Sequence, residues 1–128
     1  MPPKNTSGTS AGIREALKKA TTEMLVLFLL RQKPMYTYEM MATVERISNG
    51  KIAFNTLYQA IYRLQGFEYI EESDKILSDS NRIRIYFSIT ESGQKYLGEL
   101  IGEYSSTIDV INRVLALDGK IAGEGSDE

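Results

Sequence analysis

The chain has 128 residues, the length of one domain, and its 42% hydrophobic and 25% charged residues are typical of a globular protein. It contains no cysteine and no histidine, which excludes disulfide bonds, thiolate or histidine-dependent hydrolysis and cysteine-ligated metals. We therefore expect that the protein is not an enzyme and that it has neither a cofactor nor a metal site. The formal net charge is −2, but residues 1–90 hold 12 Lys/Arg against 9 Asp/Glu (+3), whereas residues 91–128 hold 3 against 8 (−5), so a local basic patch remains compatible with the sequence.

Both ends of the chain have compositions that favour disorder. Residues 1–10 include Pro2 and Pro3 among Gly, Ser, Thr and Asn, and residues 119–128 are rich in Gly and acidic residues. We expect a disordered arm over 1–10 and a disordered tail over 119–128. The amino terminus lacks the apolar core of a signal peptide, and the apolar run Met24–Leu30 is far shorter than the roughly 20 residues of a membrane span. These features predict a cytoplasmic protein without membrane contact.

Two helices are predicted in the first 50 residues. The first begins near Ser10, a candidate N-cap, and its apolar residues recur every three or four positions. It ends before Pro34, because the residue preceding a proline disfavours helix. The second covers about Thr37 to Ile47, and Gly50 supplies the left-handed geometry of its end.

A third helix and a hairpin follow. Asn55 is the predicted N-cap, residues 56–64 form the body of the helix, and Gly66 ends it. Residues 67–71 and 82–89 alternate apolar and polar side chains, as half-buried strands do. The polar stretch between them predicts a hairpin with a long tip.

The last element is a long amphipathic helix. Thr90 is its N-cap, and the helix extends to about Leu117, roughly 40 Å at 1.5 Å per residue, which exceeds the body of a small domain. Its apolar stripe needs a partner surface, and a second copy of the chain supplies one most simply. We therefore predict a homodimer whose seam comprises Leu97, Leu100, Ile101, Tyr104, Ile108, Ile111 and Leu115.

The order helix, helix, helix, hairpin, long helix is that of a winged helix-turn-helix protein. The expected fold class is mainly α with a small β-hairpin. Its DNA-binding domain would cover residues 11–90, and the dimerisation helix would cover residues 91–118.

Three motifs in order resemble the PadR family of bacterial transcriptional regulators. They are P-M-Y-T-Y-E (34–39), T-L-Y-Q-A-I-Y-R-L (56–64) and R-I-R-I-Y-F-S-I-T-E-S-G (82–93). The resemblance implies a homodimer that binds double-stranded DNA, usually as a repressor, with one carboxy-terminal helix for dimerisation. In some members, flat aromatic or cationic compounds bind between the dimer helices and relieve repression.

The sequence departs from the family pattern around the third helix. Thr37 replaces a glycine in the turn before the second helix, and two residues that commonly precede Thr-Leu-Tyr are missing. Gly66 falls two positions before the usual helix-ending glycine, where Glu68 stands instead. We expect the presentation of the third helix to differ most from the family.

The third helix offers candidate base-reading residues on one face. A rotation of about 100° per residue puts Leu57, Ala60, Ile61 and Leu64 on a core face. Asn and Gln pair with adenine edges, and Arg pairs with guanine or phosphate. The opposite face is therefore either a DNA contact or an ordinary solvated surface. Tyr58 either reaches a phosphate or flanks the core. Tyr38 has the same two alternatives, and its place on an apolar stripe favours the core. The candidates are Asn55, Thr56, Tyr58, Gln59, Tyr62 and Arg63.

The hairpin supplies further cations. Arg82 and Arg84 are two positions apart on one strand and share a face, and Lys75 lies on the preceding segment. Such a wing suits a DNA backbone or minor groove, or it is merely solvated, and Asp74 and Asp79 partly cancel its field.

Two functions from different classes are compatible with this pattern. The leading hypothesis is a PadR-like repressor that binds a partly palindromic operator as a homodimer and responds to a planar hydrophobic effector, for which Tyr104, Leu100 and Met24 are the candidate contacts. The absence of tryptophan reduces the stacking surface for such an effector. The alternative is a winged-helix protein-interaction module. A positive band through Arg63, Arg82 and Arg84 would favour DNA binding, whereas a neutral or apolar surface there would favour the interaction module.

Overall fold

A computed structural model of the chain describes residues 7–124. It is mainly α with one antiparallel hairpin, which confirms the predicted winged helix-turn-helix order. Residues 1–6 and 125–128 of the predicted arm and tail lie outside the described residues, and the arm's last position already belongs to the first helix. The elements are α1 (Ser10–Gln32), α2 (Thr37–Ile47), α3 (Leu57–Gly66), β1 (Ile70–Leu77), β2 (Ile83–Ile89), α4 (Glu91–Leu115) and α5 (Ile121–Glu124).

The described chain forms two compact units that meet between Leu97 and Gly98. The first unit contains α1 to β2 and the first turns of α4, and it is called the winged-helix unit below. The second unit contains the remainder of α4 and α5.

The hydrophobic core of the winged-helix unit is built from one face of each helix. The end of α1 is buried where the sequence is apolar almost all round. The four α3 residues predicted to face the core are 4% exposed or less, which confirms the helical periodicity. The largest fully buried side chains are Leu27, Met40, Leu57, Leu64, Ile70, Leu97 and Val26.

The N-cap of α1 lies one residue from its predicted position, and α2 ends at the predicted glycine turn. Thr9, not Ser10, caps α1, because its hydroxyl accepts the Gly12 amide at 3.1 Å. At the end of α2, Asn49 (φ 54°) adopts the left-handed conformation together with Gly50 (φ 79°). Asparagine tolerates this region better than most residues, so the turn is formed by both residues rather than by the glycine alone.

The end of α3 adopts a Schellman motif in which a glutamate takes the position usually given to glycine. Glu68 has φ 62°, and the amides of Tyr69 and Glu68 donate to the carbonyls of Leu64 and Gln65, both at 2.9 Å. The N-cap of this helix is Thr56, without a side-chain cap bond, rather than the predicted Asn55.

The wing, which is the hairpin formed by β1 and β2, is longer than predicted, and the turn at its tip is shorter. β1 begins at Ile70 and continues to Leu77, which pairs with Ile83 of β2, because these apolar residues extend the ladder past the polar stretch. The Ser78 amide donates to the Arg82 carbonyl at 2.8 Å and closes the turn. An isolated bridge joins Met35 to β2, so the α1–α2 connection lies along the wing.

The start of α4 is fixed to the loop that follows α3. The Thr90 hydroxyl accepts the Gly93 amide at 3.0 Å and donates to the Glu68 carbonyl at 2.7 Å, which confirms the predicted cap. The Thr90 amide donates to the Tyr69 carbonyl at 3.0 Å. α4 therefore begins in direct backbone contact with the end of α3.

Candidate nucleic-acid interface

The outward face of α3 carries three exposed side chains in succession along one side. Tyr58 is 67% exposed and Tyr62 is 79% exposed, Gln59 is also exposed, and Tyr62 lies between Tyr58 and Gln59 in the helical projection. Thr56 is half-buried at the N-cap. A helix of this diameter fits the DNA major groove, and Gln59 offers both a donor and an acceptor to base edges.

The Arg63 side chain forms an ion pair with a residue of α1 instead of extending unpaired from the outward face of α3. Its Nε donates to Glu23 Oε2 of α1 at 2.6 Å, with the Arg63 side chain 54% exposed and the Glu23 side chain 27% exposed. The helical periodicity placed Arg63 on the outward arc, and α1 is the element that supplies its partner. The sequence contained no local signal for a partner 40 residues away.

Asn55 is also engaged by α1. Glu15 accepts a hydrogen bond from Lys18 Nζ at 3.0 Å, and the Asn55 side chain lies beside the same carboxylate; both groups hold the pKa of Glu15 below its ordinary value of 4.5. The Lys18 side chain is only 10% exposed. Two of the residues predicted to read bases, Asn55 and Arg63, therefore contact carboxylates of α1.

The wing supplies three exposed cations with different surroundings. Arg82 is exposed, and among residues 7–124 it has no acidic partner within ion-pair distance. The Arg84 guanidinium lies 4.7 Å from the centre of the Tyr36 ring, and Tyr36 meets Tyr86 edge to face at 5.3 Å. Lys75 is exposed on β1 opposite Ile85. Arg84 is thus held against the start of α2, whereas Arg82 remains available to a ligand.

A groove of about 790 Å³ brings the wing and α3 together. Arg82 and Arg84 form one wall, and Tyr58 and Tyr62 form the other. The residues that sequence reasoning missed are Tyr36, Thr37 and Gln65, and Tyr38, which was expected in the core, is 62% exposed and lines the same groove. Tyr36, Thr37 and Tyr38 belong to the first of the three motifs, which was a signal that this segment lies beside α3.

Comparison with known proteins identifies the family. Residues 26–99, more than half of the chain, match the sequence profile of the transcriptional regulator PadR-like family. The chain belongs to this family.

The chain is also similar to individual proteins and solved structures. The chain is similar to a transcriptional regulator from Clostridium thermocellum (26% identity, TM-score 0.68), covering 77% of this chain and 96% of that one. It shares the fold of a PadR-like transcriptional regulator from Bacillus cereus (22% identity, TM-score 0.65), with 78% and 96% coverage. An uncharacterized protein X of Lysinibacillus sphaericus is 28% identical over 102 residues, which is 78% of this chain and 93% of that protein.

The three PadR-like motifs occupy the junctions of the winged-helix unit. Residues 34–39 form the connection into α2, residues 56–64 form most of α3, and residues 82–93 cover β2 and the start of α4. The glycine of the last motif, Gly93, is buried, and a Cβ there would overlap the Tyr69 carbonyl oxygen. The motif thus specifies the close approach of α4 to the end of α3.

The predicted seam residues of α4 differ in exposure. Leu97 is fully buried inside the winged-helix unit, so its prediction as a dimer contact is corrected: no surface of this residue is left for a partner. Met24, on α1, is half-buried. The remaining seam residues are half-buried or exposed: Leu100, Ile101, Tyr104, Ile108, Ile111 and Leu115.

Residues 7–124 were compared with two further kinds of site, a metal cluster and a membrane-spanning helix. No group of three or more acidic side chains is placed to hold a metal ion in this part of the chain. None of the helices described there has the length and apolarity needed to cross a bilayer. The PadR-like family is a family of regulators rather than enzymes.

Proposed function

We propose that this PadR-like protein is a transcriptional repressor that binds a partly palindromic operator in double-stranded DNA as a homodimer. The observation that carries the proposal is the groove between α3 and the wing, which places Tyr58 and Tyr62 opposite Arg82 on one side of the winged-helix unit. In winged-helix proteins a helix enters the major groove while neighbouring elements contact the backbone. Gln59 would read a base edge, and Arg82 would contact a phosphate.

The second half of α4 supports the homodimer. Within this unit an apolar stripe about 100° wide runs from Leu100 to Leu115, and Tyr104, Ile111 and Leu115 are 44%, 46% and 68% exposed. A solvated stripe of this length is unfavourable, and a second copy of the same helix offers a self-complementary surface. Two copies of α3 would then read two half-sites about one helical turn apart.

The test of the proposal is selection of duplexes from a random DNA pool by the purified protein. The expected product is an inverted repeat with half-sites about 10 base pairs apart. On this site Gln59→Ala should weaken binding by about 1–3 kcal/mol and relax the preference at one base pair. Arg82→Ala should weaken all sequences alike and reduce the salt slope by about 1.

The control in the selection experiment is Glu45→Ala, which removes an exposed side chain of α2 outside the groove. Recovery of no sequence above background would contradict the operator, and an unchanged preference in Gln59→Ala would contradict the assigned reading face.

One observation favours the alternative function of a protein-interaction module. Arg63 is paired with Glu23, so the positive band expected through Arg63, Arg82 and Arg84 is interrupted at Arg63, whereas Arg84 keeps its charge above the Tyr36 ring. Exposed tyrosines occupy much of the same face. Salt titration separates the two functions, because DNA binding weakens steeply with salt, whereas an apolar protein contact does not.

A planar hydrophobic effector remains a prediction of the family resemblance, with Leu100, Tyr104 and Met24 as its candidate contacts. Equilibrium dialysis with planar cationic dyes tests it. Binding that Tyr104→Ala abolishes would support the effector site, and the absence of binding would dispose of it.

A further inference from the structure

Two acidic residues of α1, Glu15 and Glu23, are spaced to match the length of α3. Glu15 contacts Asn55 and Glu23 contacts Arg63, so both contacts join residues forty positions apart. The carboxylates are eight residues apart on α1, about 12 Å along the helix, and they reach the two ends of the segment that would enter the groove. We call Glu15 and Glu23 the acidic edge.

The acidic edge lies on the flank of α3, where a bound duplex would place a phosphate backbone. An α-helix with its side chains is about as wide as the major groove, so side chains on its flanks face the two backbones while the central ones face the bases. Arg63 and Tyr58 lie about 140° apart around α3, one on each flank of Gln59 and Tyr62. Arg63 is therefore placed for a phosphate rather than a base, and Glu23 occupies the position where that phosphate would bind.

We propose that Glu23 lowers the affinity of this protein for DNA by holding Arg63 as an internal substitute for a phosphate. This inference rests on the proposed DNA-binding function and assigns Glu23 as a residue that sets its strength. Arg63 is more than half exposed, so a phosphate can reach its guanidinium and displace the carboxylate. Arg82 has no such competitor among the described residues, so the two arginines differ in what DNA must displace.

The expected effect of removing the competitor is modest because the ion pair is partly solvated. Such pairs contribute weakly, so Glu23→Gln should tighten binding about two- to fivefold near 50 mM salt. Without the competing carboxylate, the contact between Arg63 and a phosphate forms at its full strength, which should steepen the slope of log K against log salt by up to about 0.9. Because phosphates carry no sequence, the tightening should be equal for random and selected duplexes.

The experiment measures fluorescence anisotropy of a labelled random-sequence duplex over a salt series with the full chain. Four proteins are compared with the wild type: Glu23→Gln, Arg63→Ala, the double variant, and Glu99→Gln as a control. Glu99, exposed on α4, gives the same change of net charge outside the winged-helix unit. Glutamine retains a hydrogen-bond acceptor for Arg63, and urea unfolding confirms that each variant folds.

The proposal is supported if Glu23→Gln tightens DNA binding and steepens the salt slope in the wild-type background but changes neither in the Arg63→Ala background. Equal tightening in the Arg63→Ala background, or in Glu99→Gln, overturns it, because net charge alone would then explain the effect. Unchanged or weaker binding by Glu23→Gln also overturns it and leaves the proposed function intact. A wild-type protein that binds no duplex at any salt overturns both.

Discussion

Gly93 is the position where a single methyl group should disturb the winged-helix unit most. It lies in the first turn of α4, fully enclosed, and a Cβ there would overlap the Tyr69 carbonyl oxygen and lie 2.9 Å from Ile89 Cγ1. The Tyr69 carbonyl cannot move away alone, because it accepts the Thr90 amide at 3.0 Å. Gly93→Ala must therefore push α4 away from the loop that follows α3.

The magnitude follows from three contributions. Overpacking of a close backbone contact costs about 1–3 kcal/mol. Loss of the bond between the Thr90 amide and the Tyr69 carbonyl would add about 1 kcal/mol. The better helix propensity of alanine returns up to about 1 kcal/mol. We expect a net destabilisation of about 1–3 kcal/mol.

The assay is urea unfolding followed by circular dichroism, at one protein concentration because the proposed dimerisation would shift the apparent stability. The matched control is Gly102→Ala on the same helix, where a Cβ would have no neighbour within 4 Å. Alanine at that position should stabilise by up to about 1 kcal/mol. If Gly93→Ala matched Gly102→Ala, the close approach of α4 to Tyr69 would be refuted.

Three further predictions concern other parts of the chain. Glu68→Gly should stabilise by about 0.5–1 kcal/mol because it relieves the left-handed conformation, and Gly66→Ala should also stabilise, since its Cβ meets nothing; urea midpoints test both. The pKa of Glu15 is lowered by Lys18 and, to a smaller extent, by Asn55, so the contribution of Glu15 to the stability of the fold is complete above pH 4.5 and is lost as the pH falls through the lowered pKa. In Glu15→Gln the urea midpoint should therefore depend less on pH in the acid range. Ile111→Asp should convert the proposed dimer to monomer in sedimentation velocity, whereas Ser106→Asp, about 140° away around α4, should leave it dimeric.

The elements that periodicity controls were predictable from the sequence. The core face of α3 follows from the spacing of Leu57, Ala60, Ile61 and Leu64, because a helix that packs on one side buries residues three and four apart. The start of α4 followed from Thr90, whose hydroxyl can satisfy an amide of the first turn. Both rules depend only on neighbours in sequence.

The engagement of the candidate reading residues was not predictable in this way. Arg63 and Asn55 contact Glu23 and Glu15 through a packing of α1 against α3 that no local pattern encodes. Leu97 belongs to the apolar stripe of α4 by spacing, yet it is buried in the winged-helix unit, because the stripe continues from a core contact into the second unit without a change of period. Periodicity identifies a buried face but not which surface covers it.

The departures from the family pattern around α3 have structural counterparts at both ends of the helix. Thr56 caps the helix without a side-chain bond, and beside it the Asn55 side chain lies next to the Glu15 carboxylate of α1. At the other end Glu68 adopts the glycine conformation, and its carbonyl accepts hydrogen bonds from Thr90 at 2.7 Å and Ser92 at 3.2 Å. Both ends are therefore fixed by residues outside α3, from α1 and from the start of α4. The orientation in which α3 would meet DNA depends on these contacts as much as on the helix itself. Substitutions at Glu15 and Gly93 should therefore change the affinity for DNA, although neither residue would contact a base.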